Sequence, residues 1–157
     1  MIKKITLLYF FILFLSYNSI IAQKKLSVKS FDQIDSLVKL SSKKIVVFIH
    51  TDWCKYCLKM HQTTFKNEEI IKELNQNFLF ISFDAETKEA ITFNHQQFNY
   101  IPNSSDSGIH ELAKALATLN KKVSYPTLCI LNSKYEIIFQ YNQYLNANQL
   151  KNILEKI

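Results

Sequence analysis

The sequence predicts an α/β fold in which a mixed β-sheet lies between layers of helices. Continuously apolar runs rich in β-branched residues, such as Ile45 to His50, alternate with segments whose apolar residues recur at helical spacing. A strand that is apolar throughout is typical of a sheet buried on both faces. Near the C-terminus a tight turn at Asn132-Ser133-Lys134 joins two strands and makes them antiparallel. The order is helix, strand, two helices, strand, insert, helix, two strands and helix, which favours a sheet of mixed strand direction.

Capping signals place the helices of the first half. Ser30 and Gln33 form a Ser-x-x-Gln capping box before an amphipathic segment. Asn67 can cap a later helix, and Glu68 and Glu69 then lie at its positive end. The elements predicted here are helices at 31–40, 54–62 and 68–74 and strands at 45–50 and 78–83.

The second half begins with an insert at about 87–107, for which weak alternation predicts a small β-hairpin. Gly108 is predicted to open a helix, because apolar residues keep helical spacing as far as Leu119. Asn146 and Gln149 form a second capping box before the final helix. The elements predicted here are helices at 108–119 and 147–154 and strands at 128–131 and 135–141.

The first 22 residues differ from the rest of the chain. Lys3 and Lys4 precede an apolar run, and Ala22 is a small residue before a polar segment. This pattern predicts a signal peptide at 1–22, cleaved after Ala22, with one folded domain at 23–157. An uncleaved membrane anchor is the alternative, because Ile20 and Ile21 can extend the apolar run. Either way the domain is expected outside the cytoplasm, in the periplasm or cell envelope.

Composition excludes some classes of function. Nearly half of the residues are apolar, which excludes a disordered chain. Without residues 1–22 the chain has seventeen lysines, no arginine and thirteen acidic residues, and the basic residues are not clustered. Nucleic-acid binding is therefore not expected, since bidentate contacts to phosphates and bases depend largely on arginine.

Trp53-Cys54-Lys55-Tyr56-Cys57 is the candidate reactive site. It lies where a predicted buried strand ends and a helix begins. The free N–H groups and the positive end of the helix dipole stabilise a thiolate on Cys54, and Cys57 lies one turn away, within reach of a disulfide. Such a pair can carry two electrons.

This motif, followed about seventy residues later by Tyr125-Pro126-Thr127, resembles the thioredoxin superfamily. Further residues, Phe65 and Asn67 to Ile70 among them, look most like exported proteins related to the C-terminal domain of the transmembrane disulfide reductase system. The resemblance implies a three-layer thioredoxin-like sandwich and no cofactor. It also implies a cis bond before Pro126, with Tyr125 and Pro126 beside the cysteine pair and Trp53 lining the substrate groove.

The reaction that the resemblance implies is thiol–disulfide exchange, with Cys54 as the nucleophile and Cys57 as the resolving thiol. The chain is thus expected to be an exported oxidoreductase, with reductase or isomerase-type activity favoured over oxidase. Its expected partners are exported proteins with disulfides and a membrane-embedded electron donor. The oligomeric state is left open.

Two departures from the family pattern concern the direction of electron flow. Phe48 stands where typical thioredoxins have a buried aspartate, and Asp52 or Glu86 is a possible substitute, although a solvated carboxylate is the more ordinary interpretation of both. Lys55 between the cysteines favours the thiolate, which tends to make a disulfide more oxidising. The class of redox reaction is therefore better supported than its direction.

Other interpretations of the same residues remain open. Cys54, Cys57 and His61 form a C-x2-C-x3-H cluster, with His50 upstream, that a zinc or copper module could use. A catalytically silent thioredoxin-like interaction domain is a further alternative. His61 and His110 are expected to be surface or half-buried helix residues. Cys129, the odd cysteine, is expected to behave as a small apolar residue in a strand.

The insert is rich in aromatic residues, namely Phe93, Phe98 and Tyr100. Packing over the sheet edge is the ordinary interpretation, and a partner-binding face near the reactive pair is the alternative.

Overall fold

A four-stranded mixed sheet forms the centre of the computed structural model, which describes residues 25–104 and 107–157. The helices are α1 (Phe31–Ser41), α2 (Lys55–Gln62), α3 (Glu68–Asn77), α4 (Glu111–Ala117) and α5 (Ala147–Leu154). The strands of the main sheet are β1 (Lys44–His50), β2 (Phe78–Asp84), β9 (Thr127–Leu131) and β10 (Ile137–Tyr141). Three short ribbons pair β3 (Ile91–Phe93) with β4 (Gln96–Phe98), β5 (Tyr100–Pro102) with β6 (Gly108–His110), and β7 (Thr118–Leu119) with β8 (Lys122–Val123).

The strand order in the main sheet is β10-β9-β1-β2. β1 and β2 are parallel, with Lys44 opposite Phe78, and they are joined by the crossover through α2 and α3. β9 is antiparallel to both of its neighbours, β1 and β10. The predicted mixed sheet is therefore confirmed. The pairing changes from parallel to antiparallel at β9, the strand that follows Pro126.

Both faces of this sheet are covered by helices. Ile45, Val47 and Ile49 of β1 point into a core shared with α1 and α4. Val46 and Phe48 point into a second core, shared with α2, α3 and α5. Because alternate residues of a strand face opposite sides, a strand between two helical layers must be apolar at every position. The continuous apolar run of β1 thus specifies the three-layer sandwich.

The predicted caps are present. The Asn67 side chain accepts hydrogen bonds from the N–H groups of Glu69 and Ile70 at 3.0 and 3.2 Å. Asn146 accepts one from Gln149 at 2.9 Å, and the Gln149 side chain bonds back to the Asn146 N–H at 3.0 Å. These bonds satisfy N–H groups that a helix start leaves free, so they set the starts of α3 and α5.

The prediction of a helix from Gly108 to Leu119 is wrong at both ends. Gly108 to His110 form β6, which pairs with β5, and α4 begins only at Glu111, after His110 as its N-cap. At the other end Thr118 and Leu119 form β7. Apolar spacing was compatible with a helix throughout, but the first residues pair with β5, and Thr118 and Leu119 pair with β8 across a two-residue turn.

Gly108 allows two strands to approach each other closely, and it does not begin a helix. It is buried, and a β-carbon at this position would collide with the backbone oxygen of Ile101 and with the ring of Tyr100. Glycine is thus required because only a residue without a side chain lets β5 and β6 come together here. The insert accordingly contains two ribbons in sequence, where one hairpin was predicted.

The predicted leader or anchor at 1–22 lies outside the described residues. Within the described part of the chain, no helix combines the length and apolar character needed to cross a membrane.

Candidate functional site

Cys54 and Cys57 form a disulfide at the junction between β1 and α2, with an S–S distance of 2.05 Å. Cys54 is the N-cap of α2, and its sulfur accepts a hydrogen bond from the Cys57 N–H at 3.1 Å. Cys54 is 6% exposed and Cys57 is 1% exposed. Cys54 is the more exposed of the two cysteines and its sulfur receives a helix N–H group, so it is the one better placed to act as a thiolate nucleophile.

Pro126 lies at the same end of the sheet as this disulfide. Ile49 of β1 pairs with Thr127 of β9, so the residue before Thr127 is beside the place where the chain enters the reactive motif. The Tyr125–Pro126 peptide bond is cis, as the resemblance implied, and Pro126 is buried. The Thr127 hydroxyl donates to the Ser124 carbonyl oxygen at 2.7 Å and holds this turn in place.

Trp53 covers one side of the disulfide. Its ring is 66% exposed and meets the Tyr125 ring edge-to-face, with centroids 6.0 Å apart. The indole N–H donates to Oε1 of Glu86 at 3.0 Å, from the segment that follows β2. Burial, followed by the charges of Glu86 and Asp84, raises the pKa of Tyr125 to about 12, so its phenol is neutral here. Trp53 and Tyr125 therefore form one fixed aromatic wall.

A second aromatic contact, between α2 and the loop before α5, was missed from the sequence. Tyr56, from between the two cysteines, lies 6.2 Å from Tyr144 by ring centroids. The Lys59 ammonium lies 4.8 Å above the centre of the Tyr144 ring, a cation–π contact. Tyr144 belongs to the loop between β10 and α5, and no local sequence pattern indicated its contact with α2.

The position beneath the pair is apolar. Phe48 is fully buried, and its ring packs against Phe65, His61 and His50 with centroid distances of 4.7, 5.0 and 5.5 Å. Of the two possible substitutes for the missing acid, Asp52 is exposed and Glu86 accepts from Trp53. Neither carboxylate is buried under the disulfide in the manner of the aspartate that Phe48 replaces.

His50 and His61 contact one another, with ring centroids 4.9 Å apart. The His50 ring also hydrogen-bonds the Ser82 hydroxyl at 3.0 Å. Burial, and then the neighbouring His61, lowers the pKa of His50, while burial and then Lys66 lower the pKa of His61. Among the described residues, no three side chains of the metal-ligating types are grouped to hold an ion. The C-x2-C-x3-H interpretation thus finds no ligand set in this part of the chain.

His110 is fully buried, which corrects the expectation of a surface or half-buried residue. Its Nδ1 accepts from the Leu112 N–H at 3.2 Å, and its Nε2 bonds the Glu89 carbonyl oxygen at 3.1 Å. The ring therefore caps α4 and ties the start of this helix to Glu89, near the beginning of the insert. Burial lowers the pKa of His110, although the Glu89 carbonyl and Glu111 act in the opposite sense.

Two other residues, Cys129 and Phe93, contribute to packing. Cys129 is buried in β9, and burial raises the pKa of its thiol to about 12, in agreement with its interpretation as a small apolar residue. Phe93 of the insert packs against Phe31 and Tyr135, with ring centroids 5.3 and 5.2 Å apart. Packing is thus the role that the structure supports for Phe93.

The sequence profile of the thioredoxin-like domain family matches residues 31–157, which is most of the chain. The chain belongs to the thioredoxin-like family. No curated protein matches the sequence.

Solved structures with this fold include three informative neighbours. A DsbH oxidoreductase is 16% identical, with a TM-score of 0.59 and 88% of each chain covered. A thioredoxin from Thermus thermophilus is 16% identical, with a TM-score of 0.60 and 84% of this chain and 86% of that chain covered. The reduced C-terminal domain of DsbD from Neisseria meningitidis is 14% identical, with a TM-score of 0.51 and 80% and 90% covered. At these identities the likeness establishes the fold.

Family membership and the Cys54–Cys57 pair together define the chemistry of the site. A disulfide at a strand-to-helix junction, with a helix N–H on the more exposed sulfur, is a reversible two-electron couple. The thioredoxin-like chain is accordingly a thiol–disulfide oxidoreductase.

Proposed function

We propose that this protein is an exported thiol–disulfide oxidoreductase that reduces, or helps to rearrange, disulfides of other exported proteins. The observation that carries the proposal is the Cys54–Cys57 disulfide, whose outer sulfur receives the Cys57 N–H at 3.1 Å. The charged N-terminal lysines and the apolar run after them support export. The resemblance of Phe65 and Asn67 to Ile70 to exported relatives of the transmembrane disulfide reductase system supports the choice of reductase.

In the proposed reaction the Cys54 thiolate attacks one sulfur of a substrate disulfide. A mixed disulfide forms, and the other substrate sulfur leaves as a thiolate that takes up a proton. The Cys57 thiolate then attacks the Cys54 sulfur, and the first substrate sulfur leaves and is protonated in turn. The substrate gains two electrons and two protons, and the protein is left with the Cys54–Cys57 disulfide.

A dithiol donor must reduce the Cys54–Cys57 disulfide before the next cycle. Outside the cytoplasm no thiol pool supplies these electrons, so we propose a membrane-embedded dithiol donor that exchanges with Cys54. Trp53, Tyr125 and Pro126 are proposed to border the groove that receives both the substrate and the donor. Two observations support this: Tyr125 contacts Trp53, which directly precedes Cys54, and Pro126 lies at the end of the sheet where β1 leads into the reactive motif.

The test is an insulin-reduction assay with residues 23–157 and dithiothreitol. The wild type is expected to accelerate precipitation of the reduced chains, whereas Cys54→Ala abolishes the acceleration. Cys57→Ala is expected to accumulate mixed disulfides, because the nucleophile remains and the resolving thiol is gone. Cys129→Ala is the matched control, since this cysteine is buried away from the pair, and it retains the wild-type rate. A wild type no faster than Cys54→Ala contradicts the proposal.

Export is tested separately by expressing the full chain with a C-terminal tag. The proposal expects the protein in the osmotic-shock or membrane fraction, with a new N-terminus at Gln23 if the leader is cleaved. Retention of the unprocessed chain in the soluble cytoplasmic fraction contradicts export. The oxidoreductase activity is tested independently by the insulin-reduction assay.

A further inference from the structure

Two groups of charged residues lie near the disulfide. Glu86 and Asp84 are close enough to Tyr125, the neighbour of Trp53, to raise its pKa. The helix α2, which contains Cys57, begins with Lys55 and continues to Lys59, and its first turn contains no acidic residue. The charges near Trp53 and Tyr125 are therefore acidic, whereas those at the start of α2 are basic.

The basic residues at the start of α2 form a surface with two tyrosines. We call this surface, which consists of Lys55, Tyr56, Lys59 and Tyr144, the lysine–tyrosine face. Tyr56 is 63% exposed, and it lies beside Tyr144, which carries the Lys59 ammonium 4.8 Å above its ring. A large exposed aromatic side chain beside a reactive pair is typical of a surface that receives a partner, because solvent contact of apolar area is unfavourable.

The loop that carries Tyr144 is held in place. The hydroxyl of Thr64, which is itself buried, donates to the carbonyl oxygen of Leu145 at 2.7 Å. The Leu145 side chain is buried in the core that also contains Cys57. Because the neighbour of Tyr144 is anchored at both its backbone and its side chain, the face exists before any partner binds, and little ordering entropy opposes binding.

The lysines of this face have no acidic partner within the described residues. The ion pairs there involve His95 with Asp35 and Lys151 with Glu69 and Glu155, and neither Lys55 nor Lys59 takes part. Lys55 and Lys59 are four residues apart on α2, a spacing at which like charges repel. A carboxylate from outside the chain would relieve that repulsion, and Lys59 is already positioned by the Tyr144 ring.

We propose that the lysine–tyrosine face selects substrates, and that it binds an acidic side chain of an extended polypeptide next to the cysteine that Cys54 attacks. The inference rests on the proposed oxidoreductase function and names its preferred substrate class. It adds no redox step, because the carboxylate binds and leaves unchanged. Apolar contact with Tyr56 and Tyr144 orients the segment, and the two ammonium groups give the charge preference.

The test compares two peptides with the reduced protein, residues 23–157. Each has one cysteine as a mixed disulfide with 2-thiopyridine, an uncharged leaving group, flanked on both sides by glutamate in one peptide and by lysine in the other. Cys54 attacks the peptide sulfur and pyridine-2-thione leaves, which is followed by absorbance. Rates are divided by those of dithiothreitol with the same peptide, so the intrinsic reactivity of each disulfide cancels.

The wild type is expected to react about five- to tenfold faster with the glutamate peptide at low salt, since each exposed charge contact contributes modestly. About 0.5 M NaCl should reduce this preference to below about twofold by screening. Lys55→Gln/Lys59→Gln should abolish the preference while reaction with the lysine peptide continues. Lys134→Gln is the matched control, because Lys134 is exposed in the turn after β9, at the far end of the strand from Pro126.

Three outcomes overturn the inference alone while the oxidoreductase function stands: equal rates with both peptides, a preference that survives about 0.5 M NaCl, and a preference retained in the double variant. A wild type that reacts with neither peptide faster than Cys54→Ala overturns the proposed function, and the inference fails with it.

Discussion

His110→Ala is expected to destabilise the fold by about 4 kcal/mol at pH 7.5, and by clearly less at pH 5.5. The magnitude follows from three losses at one buried ring. The cap of α4 through Nδ1 contributes about 1 kcal/mol, and the bond from Nε2 to Glu89 contributes about 1 kcal/mol. The cavity left by the fully buried ring adds about 2 kcal/mol.

The pH dependence follows from the direction of the pKa shift. Burial holds the pKa of His110 in the folded protein below its ordinary value of 6.5. Above about pH 6.5 the ring is neutral in both states, and its full contribution is present. As the pH falls below that value, the unfolded chain takes up a proton that folded His110 does not, so stability is lost until the folded pKa is passed. One pH unit below 6.5 this loss is at most about 1.4 kcal/mol.

The assay is urea unfolding followed by circular dichroism at pH 5.5 and pH 7.5. The difference between the wild type and His110→Ala should be smaller at pH 5.5 than at pH 7.5, by no more than about 1.4 kcal/mol. His95→Asn is the control, because His95 is an exposed histidine of the same insert at a positive φ of 61° that asparagine tolerates. An equal cost of His110→Ala at both pH values, or a cost below about 1 kcal/mol, refutes the reasoning.

Three further predictions concern single residues. Thr51→Val should raise the free energy of unfolding by about 1 kcal/mol in a urea titration, since the buried Thr51 hydroxyl has no hydrogen-bond partner among the described residues; a loss of stability would contradict this. Glu86→Ala should lower the fluorescence anisotropy of Trp53, the chain's single tryptophan, because its indole N–H loses its acceptor; unchanged anisotropy would show that Tyr125 alone holds the ring. With the disulfide intact, native protein at pH 8 should not react with iodoacetamide, because burial raises the pKa of the Cys129 thiol to about 12. Urea-unfolded protein should take up one equivalent, and labelling of the native thiol would refute its burial.

Local sequence signals predicted well wherever a few neighbouring residues decide the structure. The cap at Asn67 and the capping box at Asn146 are side-chain to backbone bonds within three residues, and both are present. The reactive motif was also predictable, because the apolar strand before it and the helix that begins after Cys54 are adjacent in sequence.

The errors at Gly108 and His110 lie where contacts with residues outside the segment decide the structure. His110 and Gly108 have neighbours compatible with a helix, but pairing with Tyr100 and Pro102 places them in a strand. The burial of His110 depends on the Glu89 carbonyl and on the Phe83 ring, 5.5 Å away by centroids. Periodicity within one segment contains no information about such partners.

Adjacent residues and one resemblance were enough to predict the fold class, the Cys54–Cys57 pair and the cis bond before Pro126. The surroundings of the two sulfurs could be described only from the folded structure. There Glu86 accepts from Trp53, and Tyr144 contacts Tyr56 and Lys59. Side chains from separate loops meet only when the sheet and helices have packed, so the arrangement of charges near the disulfide is a property of the folded chain.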